Sequence, residues 1–304
     1  MALSAAHVPA HVPVIAGATP QAVWPLAATL GEGPVWAAHE GALWFVDIKA
    51  PAIHRFVPAS GETATWPAPA QVGWVLPCAD GTLLAGLQTG VHRFDPASGA
   101  FTLLCAPEAH LPGNRLNDAT VAADGAVWLG SMDDAETDES GRIYRLDTDG
   151  CIDSGLPPVS ITNGPAFSPD GHTLYHHDTL GRRIWASTVH DGRVTGTRLF
   201  AQIEDGAGYP DGPVVDAQGC LWVGLFAGWA VRRYDPAGKL IGVVPFPVAN
   251  VTKVAFGGPD LRTAYATTAT KGLSTAERAA QPLAGALFAF DPGVAGLPAH
   301  LARV

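Results

Sequence analysis

The sequence predicts an all-β fold, a six-bladed β-propeller of four-stranded antiparallel blades. Three observations carry the expectation. A short apolar strand entered through a glycine recurs at Gly41, Gly81, Gly125, Gly171 and Gly219, at intervals of 40 to 48 residues, and Leu261–Tyr265 forms a sixth copy without the glycine. A second landmark follows each copy, an alternating strand that closes in a turn: His54–Gly61, His92–Gly99 and Arg233–Gly238 are the clear examples, Tyr144–Asp147, Ile184–Ser187 and Leu287–Gly293 the weaker ones. Finally, 35 glycines and 26 prolines among 304 residues, without collagen periodicity, demand many turns, and no amphipathic helix of useful length separates the strands. A parallel α/β arrangement is thereby excluded.

Taken in order, residues 1–20 contain small residues, His7, His11 and several prolines, with no basic start and no apolar core of signal-peptide length. They read as a flexible leader, with residues 21–304 as one propeller domain. The strand-like Ala22–Leu26 precedes the first unit and is placed to complete the last blade, since a propeller must join its ends. Each unit then reads strand, turn, strand, loop, strand, turn, strand. In the Asp-Pro-x-x-Gly turns the proline presets φ and the glycine accepts a positive one, which suits a link between antiparallel neighbours. Two loops depart from the pattern. Asp133–Ser140 lengthens the third unit and Lys271–Arg278 the sixth, and both fall at the rim where the first strands begin, as walls or a lid over the channel mouth. Trp36, Trp44, Trp128 and Trp222 repeat at equivalent positions and read as packing between blades.

Composition narrows the function. An apolar fraction of 47% with 15% charged residues is globular, and a formal charge of -10 disfavours nucleic acid and acidic membranes. No run approaches the roughly 20 apolar residues of a membrane helix, so a cytoplasmic location is expected. Cys78, Cys105, Cys151 and Cys220 are widely spaced with no C-x-x-C pair, and read as reduced, buried small residues. No nucleophile elbow, P-loop or dinucleotide fingerprint stands in a fitting context.

What remains is a set of oxygen-bearing side chains in one register. Asn117, Asn163 and Asp211 each lie eight residues before their turn glycine and Glu32 lies nine before its own. Asn163-Gly164-Pro165 is echoed by Glu32-Gly33-Pro34 and Asp211-Gly212-Pro213, whereas Asn117-Asp118-Ala119 keeps the polar start alone. Equal offsets in a closed ring bring the four side chains to one height in the channel. Two charges with neutral amide oxygens suit Ca²⁺, Mn²⁺, Fe²⁺ or Zn²⁺. The glycine and proline after each are read as setting the backbone so that the side chain points at the axis. Arg115 shares a face with Asn117 if the segment is extended, and its guanidinium suits a carboxylate or a ring of hydroxyls. His176-His177-Asp178 looks like a metal cluster, but neighbours on a strand face opposite ways, so a structural role is expected, with Asp178 as a possible outer partner.

Leu30–Trp36, Arg115–Asp118, Ile161–Gly164 and Tyr209–Gly212, in that order, resemble the senescence marker protein/regucalcin/gluconolactonase family, and Trp44–Lys49, Asn250–Lys253 and Lys271–Ser274 resemble bacterial sugar lactonases, including xylonolactonases. The resemblance spans residues 22–304. It implies a six-bladed propeller with one divalent metal in its channel, Glu32, Asn163 and Asp211 as metal ligands, and Arg115 and Asn117 in contact with substrate. Some relatives add a glutamate in the loop after the glycine-containing strand of the third blade; the segment Met132–Glu136 does not single one out. The activity implied is hydrolysis of a sugar lactone to its aldonic acid, with Asp211 as the carboxylate placed to move a proton. A promiscuous metal esterase or phosphotriesterase, and a non-catalytic metal-binding propeller, are the alternatives.

Overall fold

The computed structural model describes residues 6–304. Gly31–Ala37, Ala42–Asp47, Ala52–Val57 and Glu62–Pro67 pair in sequence order as one antiparallel sheet. Three more such sheets follow, opening on Val72–Pro77, Asn114–Val121 and Thr162–Phe167. The remaining strands form one eight-stranded sheet: a four-stranded run opening on Tyr209–Val215 meets a second opening on Val251–Gly257, through the single parallel bridge Gly212↔Lys253. The first strands of successive units touch one another, and Val251–Gly257 touches Gly31–Ala37, so the units close a ring around a channel. The architecture is all-β and propeller-like, with antiparallel order inside each unit.

Closure uses the chain's start. Gln21–Trp24 pairs with Leu287–Phe290 as the outermost strand of the last unit, which places the expected closing strand. Upstream of it, Val14 bridges Val243, the Ile15 N–H donates to the Val243 carbonyl at 2.9 Å, and Val12 and Ala18 are buried. The C-terminal segment straps the opposite end of the ring. Its Gly296 N–H reaches the Leu261 carbonyl at 2.8 Å, Ala302 that of Pro77 at 3.0 Å and Arg303 that of Gly125 at 2.9 Å. These bonds tie the last, second and third units together.

Sheets pack face to face through the expected aromatics. Trp36 stacks on Tyr265 of the last unit, Trp128 meets Phe167 edge-on across the third and fourth, and Trp222 does the same with Phe256. Trp44 instead stacks on Trp66 of its own sheet, and Trp66 carries the contact on to Phe94 of the second. All four cysteines are free thiols; Cys78 and Cys220 are buried as expected, whereas Cys105 and Cys151 lie half-buried on outer strands. One departure from the strand-only expectation is a six-residue helix, Thr275–Ala280, which begins within the Lys271–Arg278 loop and runs two residues past it. Ser274 and Glu277 form a reciprocal capping box at its start, which satisfies backbone donors that this exposed turn would otherwise leave unpaired.

What positions the channel residues is a bulge repeated in every first strand. Pairing slips between Glu32 and Val35, Leu116 and Ala119, Asn163 and Ala166, Pro210 and Pro213, and equivalently in the second and last units. The slip starts at Glu32 and at Asn163 and spans Asn117 and Asp211, which re-aims these side chains while the following apolar residues resume core packing. Gly33 and Gly164 adopt φ of 57° and 82°, as a bulge of this kind requires. Gly212 is needed for space rather than dihedral freedom: a Cβ there would lie 2.5 Å from the Lys253 side chain.

The second unit contributes Gly73 to the ring at this level, and a Cβ on it would lie 2.5 Å from the Leu116 carbonyl and 2.6 Å from that of Asn117. Backbone cannot yield as a flexible side chain does. Gly73→Ala is therefore expected to displace the Arg115–Asn117 segment, lowering kcat/KM for the activity proposed below about tenfold or more with a loss of roughly 1–3 kcal/mol in stability. Steady-state kinetics paired with thermal melts check this, and wild-type values in both would refute the packing account.

Candidate active site in the channel

Glu32, Arg115, Asn117, Asn163 and Asp211 come from the first, third, fourth and fifth units and line one cavity of about 240 Å³. All five are buried. Residues at matching offsets along the chain thus meet at one cavity. Apolar side chains wall the cavity, among them Leu30, Ile48, Met132, Leu180 and Phe226. The polar groups are thus concentrated within a low-dielectric enclosure, where charge interactions are weakly screened.

The Glu32 Oε2 accepts the Gly33 N–H at 2.6 Å, while Oε1 is buried and meets no donor. Its neighbour is the Asp211 carboxyl, within hydrogen-bonding reach. Two acceptors face to face are held together by a shared proton or by a cation. Burial pushes Glu32 well above the usual carboxylate range, reinforced by the charges of Asp211 and Asp118. Asp211 is raised to about 7, by burial first and the Asp118 charge second. Asn163 supplies the third oxygen: its Nδ2 donates to Thr179 Oγ1 at 2.9 Å, which fixes which way the amide faces. Two buried carboxylates and one oriented amide oxygen, with an orphaned acceptor among them, fit a hard divalent cation.

Asn117 stands differently from the other register-matched residues. Its Oδ1 is taken by Arg115 Nη1 at 2.6 Å, and its Nδ2 donates to the Thr162 carbonyl at 2.7 Å and to Asn163 Oδ1 at 3.2 Å. It ties Arg115 to Asn163 rather than offering a free oxygen donor of its own. Arg115 in turn donates from Nε to Asp134 at 2.8 Å, and Asp134 also receives Lys49 at 2.6 Å and Gln71 at 2.9 Å. Burial would raise Asp134, but these three donors outweigh it and hold the carboxyl below its usual range. Asp134 is an anchor for the guanidinium, drawn from the lengthened loop of the third unit.

Sequence reasoning left four further features unassigned. Asp118, 1% exposed, accepts Lys253 Nζ across the channel. Glu136 and Lys271, from the two lengthened loops, line the cavity and form an ion pair that joins third and last units over its mouth. Asp118 was legible as the neighbour of Asn117, whereas Lys253 was not: the last unit lacks the turn glycine from which register is counted. His176 bonds Ser187 Oγ at 2.9 Å, and His177, paired in register with Asn163, is driven to about 3 by burial and stays neutral. Asp178 accepts the Gly181 N–H at 3.0 Å and caps a turn.

Comparison with known proteins finds relatives along most of the chain. The chain is 32% identical over 269 residues to a 6-deoxy-6-sulfogluconolactonase of Pseudomonas putida, covering 88% of this chain and 92% of that protein. It is 36% identical over 274 residues to an L-arabinolactonase of Azospirillum brasilense, covering 88% and 90%. The solved structure of a calcium-binding protein, regucalcin, from Agrobacterium tumefaciens superposes with a TM-score of 0.90 at 30% identity, covering 97% of this chain and 100% of that one. The family model described as SMP-30/Gluconolactonase/LRE-like region matches residues 30–270. With its first-strand motifs, channel cavity and relatives all in agreement, the chain belongs to the SMP-30/Gluconolactonase/LRE-like family.

Proposed function

We propose that this chain is a metal-dependent sugar lactonase, opening an aldonolactone to its aldonic acid within a six-bladed propeller that forms one domain over residues 21–304, residues 12–18 of the preceding leader lying against it. The observation that carries the reading is the donor-less Glu32 carboxylate oxygen beside Asp211 at the end of a buried cavity. Family relatives named as lactonases supply the substrate class, a small-molecule sugar lactone. Among the described residues no helix is long and apolar enough to cross a membrane.

Glu32, Asn163 and Asp211 would hold the cation. When bound, a divalent ion supplies polarisation of the lactone carbonyl and eases deprotonation of water. Calcium is the first ion to test, given the calcium-binding regucalcin relative. The chain's own groups do the rest. Arg115, clamped by Asp134 and Asn117, presents its guanidinium edge to ring hydroxyls without losing rotamer freedom on binding, and Asn117 keeps it in register with Asn163. Asp211 accepts a proton from the attacking water and returns it to the departing ring oxygen, a task open to a carboxylate at the edge of the site. Leu30, Ile48 and Phe226 exclude bulk water around the reacting carbonyl.

A pH-stat assay on a panel of aldonolactones tests the reading. Acid release above the spontaneous rate is expected with added calcium or another divalent ion and is expected to fall to background with chelator. Equal rates with and without chelator, or faster turnover of a simple aryl ester than of every sugar lactone, would overturn it.

A further inference from the structure

A buried ion pair crosses the channel beneath the site, and nothing in the reaction just described uses it. Lys253 stands on the first strand of the last unit and Asp118 on that of the third, on opposite sides of the ring. Lys253 Nζ donates to Asp118 Oδ1, which also receives the Ala119 N–H at 2.8 Å, and Oδ2 receives the Gly164 N–H at 3.0 Å. Asp118 thereby grips the residue after Asn163, and the Lys253 stem passes over Gly212, the residue after Asp211. Both members of the pair touch the backbone that carries a proposed ligand. Lys253 also lines a second cavity of about 290 Å³, walled by Trp74, Phe167, Phe256 and the C-terminal Leu297, so the pair separates that apolar space from the site above.

The pair is neutral as a whole, and both of its charges reach Glu32, where Asp118 raises proton affinity and Lys253 lowers it. Loss of Lys253 adds one uncompensated negative charge beneath the site, and loss of Asp118 adds one uncompensated positive charge.

We infer that Asp118 and Lys253 are positioning residues whose opposite charges balance beneath the ligands and set the channel's affinity for a divalent cation, rather than a bridge that merely joins blades. The inference rests on the proposed metal site, and it makes a demand that a structural role does not. Removing the two partners singly must shift cation affinity in opposite directions. Asp118→Asn leaves the Lys253 charge facing the site and is expected to weaken calcium binding tenfold or more; Lys253→Met leaves the Asp118 charge uncompensated and is expected to tighten it by a comparable factor. The double variant restores the balance and is expected to return within about threefold of wild type, and Lys253→Arg, which keeps the charge, is expected to do the same.

Calcium titration by calorimetry on the full chain, with circular dichroism and thermal melts on each variant, decides the matter. If a single variant fails to fold, the double variant and Lys253→Arg still test the charge balance, since affinity lost in either despite a folded chain would contradict it. If wild type binds neither calcium nor any other divalent ion, the metal reading fails and this inference with it. If wild type binds but Asp118→Asn and Lys253→Met weaken binding alike, or leave it unchanged, the metal reading stands and the charge-setting role is refuted.

Discussion

Glu32→Gln and Asp211→Asn are each expected to reduce kcat/KM for lactone opening by about a thousandfold, equivalent to ~4 kcal/mol of transition-state stabilisation. The substitutions keep shape and remove charge. In Glu32→Gln the amide oxygen still accepts the Gly33 N–H, so the local backbone has no reason to move. The same change relieves the confrontation of two carboxylates whose burial drives both upward in proton affinity, the Asp211 charge adding to the rise at Glu32. Chelated Glu32→Gln is consequently expected to melt at or above the temperature of chelated wild type while losing activity, a trade of stability for function at a charged site. Kinetics with chelator-treated and calcium-loaded protein, alongside melts of both, provide the test. Either substitution retaining full activity would remove the site from consideration.

Chelated protein is expected to lose stability as pH rises from about 4 to 7. The sign follows from proton affinities in the two states. Asp211 is raised to about 7 when folded and Glu32 is raised as well, whereas unfolded carboxyls titrate near 4. Below the unfolded value both states hold their protons and there is no slope. Between the two values the folded chain retains a proton that the unfolded chain has released, so stability falls with rising pH, by about 4 kcal/mol for Asp211 alone at the upper limit. A bound divalent ion replaces those protons, and the loaded protein should show little of this slope. Thermal melts across that range, with chelator and with calcium, should diverge toward high pH. Parallel curves, or a chelated protein that gains stability as pH rises, would contradict the placement of the two carboxyls.

Much of this site was legible before any coordinates. Glu32, Asn163 and Asp211 could be aligned because the units that carry them each have a turn glycine at a nearly fixed offset, which gave the chain a common register to count from. Arg115 and Asn117 were paired by strand periodicity and are indeed bonded at 2.6 Å. The Asp118–Lys253 pair was not legible, because its members lie 135 residues apart in units with different local sequence. The anchoring of Arg115 by Asp134 and the Glu136–Lys271 pair were hidden for another reason: both involve lengthened loops that break the repeat, where counting gives no height.

The chain's own repetition determined a closed antiparallel β architecture and the common height of its channel residues, since those follow from backbone periodicity and turn chemistry alone. Tertiary structure decided which oxygen of each side chain is free, which cation answers which acid, and that Gln21–Trp24 completes the last unit as its outermost strand. Those outcomes depend on distances between units far apart in sequence, and a local pattern carries no information about which of several charged neighbours will meet once the ring has closed.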